Sequence, residues 1–130
     1  MNELLGDAAT RAVRYLDEIQ ERSVAPSAAA VAGLDALREP LPAHPTDPAA
    51  VLALLDEVGS PATLGISGPR FFGFVIGGSL PAALAANWLA AAWDQNAAFD
   101  SVTPAASRLE EVSLEWMRDL FSLRGQFLAA

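Results

Sequence analysis

In residues 3–22, Leu5, Ala9, Ala12, Leu16 and Ile19 follow one another at alternating intervals of four and three, with Arg14, Asp17, Glu18 and Glu21 off that line. Such a rhythm is the narrow seam of a helix lying on another helix, so a helix over 1–22 with a partner helix is predicted. From Ser23 the text changes to SVAPSAAAVAGLDALREPLPAHP, where four prolines and a glycine interrupt any period. A largely extended arm over 23–46 follows, with a short helix allowed between Ser27 and Leu37. Its own contacts cannot offset the entropy of ordering it, so it needs a surface to lie on. Asp47-Pro48 reads as a cap and first helical residue. It opens a helix over 47–58 with Val51, Leu52, Leu54, Leu55 and Val58 inward and Gly59 as its stop.

After a loop from Gly59 to Ser67, the 23 residues from Phe71 to Trp93 carry no formal charge. A run of that length must be hidden by a membrane, a core or a partner subunit. A spanning helix needs roughly 20 continuous apolar residues, and Gly77-Gly78-Ser79 followed by Pro81 breaks the run in its middle. The pattern instead predicts an aromatic strand or extended segment over 70–78, a two-glycine turn, and a helix over 79–94 capped by Ser79 with Pro81 in its first turn. That helix is mostly alanine, which lets backbones approach closely on more than one side. A second loop runs from Asp94 to Val102. Thr103-Pro104 then repeats the cap-and-proline signal for a last helix over 103–124, with Gly125 as its candidate C-terminal cap. On it Leu109, Val112, Trp116 and Leu120 make one stripe and Leu114, Met117 and Phe121 another, which predicts burial on two sides.

Composition sharpens this picture. A chain of 130 residues is one domain by length, and a hydrophobic fraction of 52% with a mean hydropathy of +0.28 leaves apolar surface for a partner. A net charge of -8 argues against a nucleic-acid backbone or an anionic membrane as that partner. No cysteine is present, and the N-terminus shows neither a basic region nor an apolar run of a secretory signal, so a cytoplasmic location is expected. All eight basic residues are arginine. Without lysine the chain has no side-chain amine to serve as a nucleophile or to form a Schiff base.

Candidate chemistry is sparse. Gly77-Gly78 ahead of a capped helix could present backbone N–H groups to a phosphate or carboxylate, or could simply be a tight turn. The sole histidine, His44, lies in the arm without the companions a metal site needs. Glu110, Glu111 and Glu115 read as a solvated helix face, with Arg108 and Arg118 as ion-pair partners. Trp93-Asp94-Gln95-Asn96 sets an aromatic beside three polar side chains, which suits either a polar pocket or an ordinary helix-end loop. No catalytic set and no metal set emerges, and these features alone describe a mostly helical domain that docks on another protein.

The run GPRFFGFVIGGSLPAALAANWLAAAWDQNAA, with PLPAHPTDPAAVLALLDEVGSPAT before it and TPAASRLEEVSLEWMRDLF after it, resembles the group II pyridoxal-phosphate-dependent amino-acid decarboxylases. That family includes the aromatic-amino-acid, histidine and glutamate decarboxylases, and the similarity is to the N-terminal segment of its bacterial branch. The resemblance implies helices and an arm that wrap the other protomer of an intimate dimer. It also implies that Phe72, Phe74, Val75, Ile76, Gly77 and Gly78, with Trp93, Gln95 and Asn96, form one wall of the substrate pocket. Relatives often carry tyrosine at the position of Phe74 and threonine at that of Ile76, so the resemblance implies a loss of polar contacts to substrate or cofactor at these two positions.

The family's cofactor-binding domain, with its Schiff-base lysine and stacking histidine, lies outside the region of resemblance. The chain therefore reads as a covering portion, whether through an early stop, a frameshift or the choice of fragment. Catalytic residues and covalently bound pyridoxal phosphate are not expected on it, and an amino-acid substrate is expected only in a complete enzyme. The expected architecture is all-α: four principal helices, a Pro-rich arm and a short aromatic strand or extended segment. An intertwined dimer is expected through Leu5, Leu16, Ile19, Trp116 and Leu120, with itself or a full-length decarboxylase as partner. A stand-alone helical interaction module and a small-ligand binder are the competing readings.

Overall fold

The computed structural model describes residues 1–96 and 99–123, which are mostly helical and contain no strand. The chain divides into two compact units, Met1–Ser79 and Leu80–Ala130. In the first, α1 runs Asn2–Asp17, five residues short of the end its period predicts. Beyond it the chain tightens, with Ile19 N–H donating to Leu16 O at 3.3 Å and Glu21 N–H to Glu18 O at 3.0 Å. These turns bring Ile19 against Gly68 and let the Arg22 guanidinium lie 4.5 Å from the Tyr15 ring centroid while donating to Ser60 O at 2.5 Å. Tertiary contact outweighs helix propagation there. A Cβ on Gly68 would stand 3.3 Å from Ile19 O, Ile19 Cγ1 and Gly65 O, so only glycine allows this approach without displacement.

The arm carries helix in the span from Ser27 to Leu37 where the sequence allowed it. Ser27 Oγ accepts from Ala30 N–H at 3.1 Å and caps α2, Ala28–Gly33, which tightens into a 3-10 turn at Leu34–Leu37. Residues 38–47 have no regular structure and are exposed throughout. Asp47 then caps α3, Pro48–Leu54, through Oδ1 and the Ala49 N–H at 3.2 Å, with Pro48 at its start as predicted. Gly59 does not stop the winding. The backbone widens into a π turn at Leu55–Gly59 and narrows to a 3-10 turn at Ser60–Ala62, with Gly59 in the right-handed region at φ -76. Thr63, at ψ 150, ends it. Leu52 and Val58 are half-buried, whereas Val51, Leu54 and Leu55 remain exposed.

In the second unit α4 spans Pro81–Trp93 and α5 spans Pro104–Leu120. Leu80, not Ser79, holds the cap position of α4 and makes no side-chain bond. Thr103 precedes Pro104 as predicted, yet its hydroxyl donates back into the loop, to Asn96 O and to Phe99 O, instead of capping α5. Helix α5 closes before the expected end through a left-handed Ser122 at φ 51. Ser122 N–H donates to Asp119 O at 3.1 Å and Leu123 N–H to Arg118 O at 3.0 Å, the paired bonds of a Schellman motif. Gly125 lies outside the described residues.

Among the described residues no hydrophobic side chain is buried, and the buried polar side chain is Thr103, at 6% exposure. Both stripes of α5 are exposed at Leu109, Trp116 and Leu120 and at Leu114, Met117 and Phe121, so burial on two sides is not achieved among the described residues. Helix α4 exposes Trp88, Leu89 and Trp93.

Candidate functional site

The predicted pocket wall falls into two groups, one in each unit. In the first, Phe72, Phe74 and Val75 are 90%, 78% and 106% exposed, and Ile76, Gly77 and Gly78 are exposed beside them. The turn expected at Gly77-Gly78 lies instead at Phe74-Val75, both left-handed with φ 57 and 56. Ile76 N–H donates to Gly73 O across it at 3.4 Å, and the Phe71 and Phe74 rings stand 6.1 Å apart at 37°. Gly73 permits this arrangement, because a Cβ there would come within 2.9 Å of the Phe71 ring. At Gly77 a Cβ would meet nothing within 4 Å, so no close approach demands that glycine. Nor do the glycines open the helix, since Ser79 and Leu80 separate them from Pro81.

In the second unit, Trp93 ends α4 half-exposed, and Asp94 turns left-handed at φ 48 with its N–H on Ala90 O at 3.1 Å. Gln95 Nε2 donates to Trp93 O at 2.7 Å. The Asn96 carbonyl accepts from Thr103 Oγ1. The Asp94 N–H, the Gln95 amide and the Asn96 carbonyl thus serve the helix terminus and the loop behind it.

Of the residues expected at a subunit contact, Leu5, Trp116 and Leu120 are exposed. Leu16 and Ile19 are half-buried by their own unit.

Sequence reasoning missed the ionic clasp between α1 and the π turn. Asp56 Oδ2 accepts from Arg11 Nη1 at 2.8 Å and from Arg14 Nη2 at 2.5 Å, with its side chain 13% exposed. Arg11 Nε also bonds both Asp7 oxygens at 3.1 Å. Hydrogen bonding to Asp56 first, and to Asp7 second, raises the Arg11 pKa above its ordinary value. Next to the clasp, Tyr15 Oη and Thr63 Oγ1 are 2.9 Å apart. Two adjacent acids, Asp56 and Glu57, in the otherwise apolar stretch from Val51 to Val58 do not single out Asp56, because its partners lie more than forty residues away. Arg14 lies off the α1 seam and is exposed, as its position in the period predicts, and from there it reaches across to Asp56. On α5, Arg108 Nη1 lies 2.5 Å from Glu111 Oε2, the pair the spacing suggested.

An open hollow of about 290 Å³ lies among Arg22, Ser27, Pro61 and Thr63 and includes none of the predicted pocket residues. No cluster of His, Cys, Asp or Glu among the described residues could hold a metal ion, and His44 stays in the exposed arm. No described helix is long and apolar enough to cross a membrane. Comparison with family models, with curated proteins and with solved structures finds no match for the chain.

Proposed function

We propose that this chain supplies subunit contacts and part of the substrate-pocket wall of a pyridoxal-phosphate-dependent amino-acid decarboxylase, and has no decarboxylase activity alone. One observation carries the reading: a chain that is 52% hydrophobic buries no hydrophobic side chain among its described residues. Scattered exposed leucines are ordinary on any protein, but a missing core is not. Covering Phe72, Phe74, Trp116 and Leu120 would contribute about 1.5–3 kcal/mol for each side chain, enough to hold a large interface. The described residues do not fit pyridoxal phosphate itself. No lysine is available for its aldehyde, and the Gly77-Gly78 backbone is set back from the start of α4. The cofactor would be held by the catalytic domain that the resemblance implies, while these residues exclude water from the pocket mouth.

Mixing the chain with a full-length group II decarboxylase tests the proposal, with co-purification as the expected result. Pyridoxal phosphate followed by borohydride should leave no side-chain adduct on the isolated chain, and a stoichiometric one would overturn the reading. The stripes of α5 also favour a second reading, a self-associating helical module. Light scattering separates it: a monodisperse monomer at high concentration removes that module, and saturable amino-acid binding by the isolated chain would favour a ligand binder instead.

A further inference from the structure

The turn at Gly73–Ile76 has positive φ at both central residues and a bond from the fourth residue to the first, the signature of a type I′ turn. Type I′ turns take Asn-Gly or Asp-Gly because those residues tolerate the left-handed region. Here the two positions hold Phe74 and Val75, an aromatic and a β-branched residue, which both favour extended backbone. Strain of this kind persists only where the surroundings over-determine it. The surroundings here are thin. The Val75 side chain is 106% exposed, the closing bond is 3.4 Å long, and Phe74 meets Phe71 at a centroid distance of 6.1 Å.

We propose that residues 73–76 are a two-state element: the strained turn described here, and an extended form in which Phe72, Phe74 and Ile76 line one edge while Phe71 and Val75 line the other. A surface that engages the extended form alone draws the equilibrium towards it by its differential affinity. The element is intrinsic to the chain and does not rest on the decarboxylase reading. Its failure and the failure of that reading are therefore separable.

Relaxation-dispersion NMR on the full chain tests it. The wild-type amides of Gly73 to Ile76 should exchange between two states. Phe74→Asn combined with Val75→Gly removes the left-handed penalty at both positions and should shift the population to the turn by roughly a hundredfold, quenching the exchange. Val75→Pro fixes its own φ near -65° and drives Phe74 to the extended region, so the Ile76 amide should take the shift of the wild-type minor state. Both variants alter exposed side chains, and unchanged α1 amides report that the unit remains folded. A single wild-type state in which Phe74 and Val75 keep positive φ, with no exchange and no change in neighbouring shifts in the Asn-Gly variant, overturns the proposal. So does a Val75→Pro chain whose Ile76 amide keeps the turn's shift.

Discussion

Asp56 is the residue on which the long-range ion pairs among the described residues of the first unit converge. Its carboxylate accepts from two guanidinium groups on successive turns of α1, one of them also held by Asp7. Asp56→Asn keeps the shape and removes the charge. A lower urea midpoint is expected, with a wild-type advantage that shrinks in about 1 M salt as the pair is screened. The pH dependence has a definite sign. Because the folded Arg11 pKa is raised, its contribution is complete below the ordinary arginine value and is lost only as pH climbs through the raised one. Titration of the arginine therefore should not loosen the clasp anywhere near neutrality, and a midpoint that falls between about pH 7 and 9 in wild type but not in the Asn variant would contradict this. Thr103 plays a comparable part in the second unit, with a buried hydroxyl donating to Asn96 O and Phe99 O. Thr103→Val should cost about 1–2 kcal/mol and speed amide exchange in the first turn of α5.

Helix ends show where sequence pattern suffices and where it fails. Asp47-Pro48 was readable because capping chemistry is local: the carboxylate reaches a backbone N–H two residues away. The end of α1 was not, because it is set by Ile19 against Gly68 and by Arg22 reaching Ser60, contacts that no short window contains. The end of α5 turns on Ser122 adopting a conformation that its residue type does not favour. Ser122→Gly should therefore stabilise α5 by about 0.5–1 kcal/mol, seen as a rise in the helical melting midpoint, since glycine enters the left-handed region without a Cβ penalty. Within the candidate site, the exposed aromatic run was visible as an uncharged stretch. The turn inside it was not, because Phe74 and Val75 each argue for extended backbone. Gly77-Gly78 attracted the turn assignment on composition, while the bend sits where Gly73 makes room for the Phe71 ring.

At the scale of the molecule, helical content was readable from periodicity and the Asp56 clasp was not, since α1 and the π turn after α3 are separated in the chain by the Pro-rich arm. That arm has a practical consequence. Residues 38–47 are exposed along their whole length, and Arg38 is the arginine among them. Tryptic cleavage after Arg38 is expected to be rapid, as mass spectrometry of a brief digest would show. The two pieces of the first unit would still share the Asp56 carboxylate, the Tyr15 and Thr63 hydroxyls and the Gly65 N–H donated to Val24 O at 2.9 Å. A nicked chain should consequently elute as one species in low salt and come apart as salt rises. Separately synthesised halves should reconstitute the unit by fragment complementation.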